Sequence, residues 1–429
     1  MLSAENNRLL TEVGPGAPMG DLLRRYWHPI AGVSEFDEKP IKPIRLFGED
    51  LVLFRALNGE FGLVGSRCAH RGSNLAFGFV EADGIRCGYH GWRYNLEGEC
   101  TSRPFEETVA PAATRLKMPK VAGYPVRAKA GMVWAYMGPQ PAPQLPDWET
   151  FSWPNCFVQV IIAEIPCNWL QCQENTVDPV HFEWMHNNGP KRRAGDYGPL
   201  TPKTLDLQVE DYEYGLLSRR YREGTDKSTP LWSVGRAILW PNGWYFGHHF
   251  EWKVPIDDTH TLFVTWSALH VPTECEPYVQ ARIPTWHAPI RDAKGDWIIS
   301  HVGNQDIVAW ISQGPIADRT QEMLGASDRG VVMLRRRLLE DLEALARGQD
   351  PRGLIRDPAR NVRIELPCIA REDLMNGLPR AKMMEHPVMG PYLREFYSMA
   401  GQPDAIRAEF ERAMSVKQSS LELHKFIPQ

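Results

Sequence analysis

Eight cysteines in 429 residues are too few for a disulfide scaffold, so a reducing compartment is expected. No apolar run is long enough to span a bilayer, which excludes a helical membrane protein. The opening residues, MLSAENNRLLTEVGPG, lack a basic segment followed by an apolar one, so no signal peptide is expected and the location reads as cytoplasmic. Neither charge sign dominates: the net charge of -5 gives no reason to expect nucleic acid or an anionic membrane surface. There is no internal repeat and no low-complexity tract. A nicotinamide or flavin site is also missing, because GPGAPMG at Gly14–Gly20 has the wrong glycine spacing and is filled with prolines.

What is present is ordinary globular material, 43% hydrophobic and 24% charged, in a chain long enough for two cores. A short helix is expected over Asp21–Trp27, then short strands and turns. Within Arg45–Gly65, Asn58-Gly59 is a strong hairpin signal. The strand pattern runs to Ala130–Gly138, and the proline-rich Pro139–Trp148 suits a domain linker. Beyond it come a strand over Phe157–Ile165, a helix through Trp169–Met185, longer strands across Leu205–His270, and a helix over Asp328–Gly348 with Ser327 as its N-cap. The predicted fold class is α+β. An all-β domain occupies residues 1–150 with its core at about 28–138, and residues 151–429 form an α+β domain with a large antiparallel sheet flanked by helices.

The strongest chemical signal is CAHRG at Cys68–Gly72 followed by CGYHGW at Cys87–Trp92. Cys68 and His70 form a Cys-x-His pair; after sixteen intervening residues Cys87 and His90 form a Cys-x-x-His pair. Thiolates suit iron–sulfur clusters and zinc, and imidazoles are borderline ligands. A familiar zinc finger groups its two cysteines before its two histidines, whereas here each half supplies one of each. Two cysteines on one iron and two histidines on the other is the ligand set of a Rieske 2Fe-2S cluster. The plain structural alternative is a zinc clip or four unrelated core residues.

At these residues, and at the flanking Arg71, Gly72, Gly91 and Trp92, the chain resembles the Rieske family. Respiratory Rieske proteins add two cysteines that form a disulfide beside the cluster. The matching positions here are Ser73 and Tyr89, so the chain resembles the oxygenase branch instead.

An oxygenase needs a second metal centre, and QENTVDPVHFEWMHNN offers one: Asp178, His181 and His186. Non-haem iron(II) oxygenases use two histidines and one carboxylate, leaving open positions for dioxygen. Asp178 and His181 are three apart and would share a helix face. His181 and His186 are five apart, which a regular helix would splay, so the helix should loosen or end near His186. The carboxylate must come from elsewhere. His301–Asp328 holds two candidates, Asp306 and Asp318, the latter in GPIADRT. The resemblance places the ligand at Asp306. It also implies that Asp178 supports His181 and bridges to a cluster histidine, His90, of a neighbouring subunit, so that electrons cross within a homotrimer or hexamer. The alternative is that Asp178 caps a helix.

Cys167 and Cys172 have the first spacing of a plant-type ferredoxin site, but the third position is Asn175, so electrons must arrive from another protein. The segments Leu9–Ile30 and GPIADRT are similar to phthalate dioxygenases and their relatives. That resemblance implies a separate reductase, with flavin and a plant-type ferredoxin domain, and an aromatic carboxylate as substrate with O2. In WSVGRAILWPNGW, strand alternation would put Val234, Arg236, Ile238 and Trp240 on one face. Arg236 among apolar neighbours needs an acid, either a substrate carboxylate or an internal ion-pair partner. Phthalate-type enzymes use two arginines; only Arg236 matches, with Arg222 as a possible contributor, which favours a less charged substrate than phthalate. Trp232, Trp240, Trp244 and Phe246 suit an aromatic pocket or an ordinary core. Ring hydroxylation and O- or N-demethylation are both open.

Overall fold

Between Trp27 and Tyr136 the short alternating runs fold as three sheets of three, four and four strands. They are β1 (Trp27–Gly32), β2 (Ile41–Leu46), β3 (Glu49–Arg55), β4 (Phe61–Gly65), β5 (Phe79–Glu81), β6 (Gly84–Arg86), β7 (Arg93–Asn95), β8 (Cys100–Ser102), β9 (Gly123–Tyr124), β10 (Val126–Lys129) and β11 (Met132–Tyr136). The computed structural model describes residues 2–110, 118–393 and 399–414. The Asn58-Gly59 hairpin forms between β3 and β4, with Gly59 at φ 90°, a conformation that suits glycine. Val52, Phe54, Val64, Leu75, Ile85 and Tyr94 make the core of this module, together with Cys68 and Cys87. The helix expected at Asp21–Trp27 instead spans Pro18–Leu23 (α2, after α1 at Ala4–Thr11). Pro18 sits in its first turn, where its missing N–H costs nothing, and Trp27 already pairs with Tyr136 in β1.

The chain divides into two compact units, residues 12–143 with 254–258, and residues 1–11, 144–253 and 259–429. The larger unit is built on an eight-stranded sheet. Its strands are β12 (Cys156–Ile165), β13 (Thr204–Tyr212), β14 (Gly215–Arg222), β15 (Arg236–Leu239), β16 (Gly243–Phe246), β17 (His249–Asp257), β18 (His260–His270) and β19 (Thr285–His287). They lie in the order β13-β14-β15-β16-β17-β18-β12-β19, antiparallel except for β12 with β19. Helices α3 (Trp169–Val177), α4 (Val302–Ser312) and α5 (Arg329–Ala346) complete the α+β unit. Val331, Leu334, Leu338 and Leu342 form the buried stripe of α5. Its N-cap position is Asp328, which makes no side-chain bond to the helix; the carboxylate instead accepts the Gly325 N–H at 2.6 Å in the preceding tight turn, where Ser327 also lies. The α1 helix belongs to this larger unit, and Asn168 Nδ2 donates to the Thr11 carbonyl at 2.9 Å.

Two sequence expectations fail at proline and glycine. The helix predicted through Trp169–Met185 stops at Val177, because Pro179 forces Asp178 into extended backbone, φ -90° and ψ 109°. The strand expected from Trp232 starts only at Arg236: Trp232 lies in a short helix, Pro230–Ser233, and Gly235 turns at φ 79°. None of the eight cysteines forms a disulfide. Among the described residues no helix is long and apolar enough to cross a membrane.

Candidate metal centres and the cavity beside them

The four Cys/His residues sit on two matched loops, one following β4 and one joining β6 to β7. Each closes in the same way: the Gly72 N–H donates to the Cys68 carbonyl at 2.9 Å, and the Gly91 N–H to the Cys87 carbonyl at 3.1 Å. Both glycines have positive φ, 70° and 73°, which a larger residue would resist. Cys68 and Cys87 are buried, and the His70 and His90 rings lie 4.5 Å apart with His90 exposed. His70 stacks on Trp92 at 4.5 Å, and Tyr94 Oη lies 3.1 Å from Cys68 Sγ. Two observations test the fit of an iron–sulfur cluster. His70 Nδ1 is buried with no hydrogen-bond partner, as a ligand atom would be. Burial raises the Cys68 thiol above its ordinary pKa, so a thiolate there needs a cation such as iron to offset the cost. The residues fit.

The second centre is built at the break after α3. Past Pro179 the chain resumes as a wide π-type helix, Phe182–Asn188, closed by a Gly189 N–H to Trp184 carbonyl bond that spans five residues. A regular α-helix would turn residues five apart about 140° away from each other. The wider turn brings His181 and His186 onto one side, with ring centroids 5.2 Å apart. Asp306 completes the set from α4: its Oδ1 lies 3.7 Å from His181 Nε2 and 3.3 Å from His186 Nε2. The three offer ligand atoms all within 4.8 Å of one another. Here too the fit can be tested. His186 Nε2 and Asp306 Oδ1 are buried and hydrogen-bonded to nothing, an arrangement that is costly unless a cation sits between them. Burial disfavours a charged His186, yet Asp306, Gln305 and Glu251 together raise its pKa; the pocket favours positive charge. Two histidines and one carboxylate suit iron(II).

Asp318, the rival carboxylate, is not brought to this cluster. It is exposed and hydrogen-bonds its own turn, accepting from Thr320 N at 3.0 Å and Thr320 Oγ1 at 2.6 Å. The GPIADRT segment is explained instead by Arg319, 1% exposed, which binds both oxygens of Glu174 at 2.8 Å. Asp178 belongs to no helix. Its Oδ1 accepts the Val180 N–H at 2.7 Å, and its Oδ2 lies 3.7 Å from His181 Nδ1, the nitrogen turned away from Asp306.

Beside the triad the sheet face forms one wall of a cavity of about 700 Å³. Its lining includes Phe182, Trp244, Phe246, His249 and Tyr392. Trp240 and Trp232 are elsewhere: Trp240 Nε1 donates to Asp341 at 2.8 Å, and Trp232 packs on Tyr221 at 5.3 Å. Three arginines line the cavity, Arg220, Arg222 and Arg236. Register explains them, since Ser218 of β14 pairs with Arg236 of β15, and Arg220 and Arg222 follow Ser218 at alternate positions. The Arg236 guanidinium lies over Phe246 at 4.3 Å and Phe182 at 5.0 Å; that of Arg220 lies over the same Phe182 ring at 4.8 Å. Arg220 is 4% exposed and donates to the Pro179 carbonyl. Burial, then repulsion from Arg236 and Arg222, pulls its pKa down to about 8. Sequence reasoning missed Arg220, although strand alternation from Arg222 would have found it, and so the inferred lack of a second arginine is corrected.

A Rieske [2Fe-2S] domain model matches residues 26–120, and a LigXa C-terminal-domain-like model matches residues 291–365. The 5,5'-dehydrodivanillate O-demethylase oxygenase subunit of a Sphingobium species is 52% identical over 98% of this chain and 99% of its own length. The chain belongs to the Rieske non-haem iron oxygenases. The phthalate 4,5-dioxygenase oxygenase subunit of Pseudomonas putida is 35% identical over 82% of this chain and 89% of its own. Among solved structures, the terminal oxygenase of carbazole 1,9a-dioxygenase from a Novosphingobium species shares the fold, with a TM-score of 0.52 at 22% identity over 78% of this chain and 97% of that one. This Rieske oxygenase subunit is therefore an oxidoreductase that carries a 2Fe-2S cluster and a mononuclear iron, and it takes electrons from a separate protein.

Proposed function

We propose that this oxygenase demethylates an aryl methyl ether that bears a carboxylate. His181, His186 and Asp306 hold the mononuclear iron, and Cys68, His70, Cys87 and His90 hold the cluster. The observation that carries the substrate reading is the arginine group. A substrate carboxylate against Arg236 and Arg220 offsets the burial and the arginine–arginine repulsion that together lower the Arg220 pKa, and supplies charge-assisted hydrogen bonds. The aromatic wall of Phe182, Trp244 and Phe246 suits a ring. The full-length similarity to an O-demethylase subunit supports demethylation.

The iron and cluster together supply reductive activation of dioxygen. In balance, the ether, dioxygen, two electrons and two protons give the phenol, formaldehyde and water. The protein's own part is to hold the ring and carboxylate so that the methyl group faces the open side of the triad. Electrons come from a reductase with flavin and a plant-type ferredoxin domain. Within a trimer or hexamer, Asp178 bridges His181 to His90 of a neighbouring copy; the exposure of His90 and the half-buried carboxylate of Asp178 support that role.

The test is product analysis with a reductase: a methoxylated aromatic acid should yield formaldehyde and the phenol in equal amounts. A cis-diol would favour ring hydroxylation, the second reading, which the 35% identity to a phthalate dioxygenase subunit supports. Arg236→Met keeps approximate length without the charge. It should weaken acidic substrates by roughly 2–3 kcal/mol and leave uncharged analogues almost unchanged. An unaltered KM for the acid would assign Arg236 to structure.

A further inference from the structure

Consecutive residues on a helix point about 100° apart, yet Gln305 and Asp306 of α4 both reach His186. Asp306 meets the ring at Nε2, and Gln305 meets its other face: His186 Nδ1 lies 2.9 Å from Gln305 Oε1. The two side chains grip one imidazole from opposite nitrogens. Which end of the Gln305 amide faces the ring is decided by its second bond, because Nε2 donates to the Ile299 carbonyl at 3.0 Å. The carbonyl oxygen is thus turned to His186 and can only accept. Gln305 is 9% exposed, and neighbouring Asn304 is tied down too, accepting the Ala400 N–H at 2.9 Å and donating to the Pro289 carbonyl at 3.2 Å. The start of α4 is therefore anchored at the residue just before the one that touches the histidine.

We infer that Gln305 is the positioning residue of His186: by accepting a hydrogen bond from Nδ1–H it holds the tautomer whose bare Nε2 faces iron. The two histidines are then supported by different chemistry. His181 has a carboxylate, Asp178, 3.7 Å from its Nδ1, an ion-pair separation longer than a hydrogen bond, whereas His186 has a neutral amide in hydrogen-bond contact. A carboxylate acceptor makes an imidazole a stronger donor to metal than an amide does. This asymmetry places the charged partner on the histidine linked to electron delivery and leaves the other ligand fixed but electrically neutral.

The inference rests on His181, His186 and Asp306 being the iron ligands, and the experiment separates the two. The full-length protein, with its 2Fe-2S cluster retained, is stripped of mononuclear iron by a mild chelator and titrated anaerobically with Fe2+ by calorimetry. Wild type should bind one ion, and His186→Ala none; wild-type binding by His186→Ala would sink the ligand reading itself. Gln305→Leu should weaken Fe2+ binding about ten- to hundredfold, the usual cost of losing such a partner. Gln305→Glu keeps the acceptor and should hold Fe2+ within a few-fold of wild type. Should the leucine variant not fold, Gln305→Asn decides, since it keeps the amide but withdraws the carbonyl by one methylene and should lose affinity as leucine does. Wild-type affinity in the leucine or asparagine variant would overturn the inference.

Discussion

Replacing His181 or His186 with Ala is expected to abolish turnover and remove one iron, while the cluster spectrum stays intact. The purified protein should be red-brown with about three irons per chain, two in the cluster and one in the triad, and without stoichiometric zinc. The variants should fall to about two. The expectation follows from geometry: both Nε2 atoms converge on one oxygen of Asp306, and removing either leaves two donors on an ion that needs three. Selectivity for the third iron follows from position, because the cluster ligands are carried by a different unit of the chain. Asp306→Ala should behave like the histidine variants. Asp318→Ala should keep its iron, since Asp318 is an exposed turn residue bonded to Thr320. Metal analysis with visible absorption decides the matter: loss of cluster colour in the histidine variants, or loss of the third iron from Asp318→Ala, would show the centres to be assigned wrongly.

Asp178→Asn should separate metal binding from electron delivery. The asparagine still accepts the Val180 N–H through Oδ1, so the turn that launches the π-type helix survives. Asp178 is not one of the three converging ligands, so the iron should largely remain. What disappears is the negative charge beside His181 Nδ1, the charge that in the proposed bridge also supports a protonated His90 of the neighbouring copy. Turnover should fall by orders of magnitude although both metal centres are present. Stopped-flow oxidation of pre-reduced protein with substrate and dioxygen, followed at the cluster absorbance, is the direct measurement. Wild-type oxidation in an iron-replete variant would leave Asp178 as a turn residue only.

The metal chemistry was legible in the residues because ligand identity and spacing are local. A Cys-x-His with a Cys-x-x-His needs little more than two tight turns, and Gly72 and Gly91 supply them within the same short motifs. The pair His181 and His186 was legible as chemistry but not as shape. Five-residue spacing signalled that a regular helix could not serve, and the structure answers with a π-type turn and a break at Pro179. The same proline carried a stop signal that the predicted long helix overlooked.

The sequence by itself determined the order of an all-β module before an α+β unit and the dependence on an outside electron donor, and it marked out the Cys/His set and the two histidines proposed as metal ligands. These follow from residue types a few positions apart, where backbone geometry permits few arrangements. Residue type and spacing left both Asp306 and Asp318 open; folding brings Asp306 of α4 against His186 and leaves Asp318 in an exposed turn bonded to Thr320. Only strand register brought Arg220 and Arg222 beside Arg236, and sent Trp240 away to Asp341. Gln305 carries no motif of its own; its role exists because folding puts its carbonyl against one imidazole nitrogen while Asp306 takes the other. Contacts of that kind depend on how distant segments pack; in the sheet, a one-residue shift of β14 against β15 would turn the arginines to the opposite face.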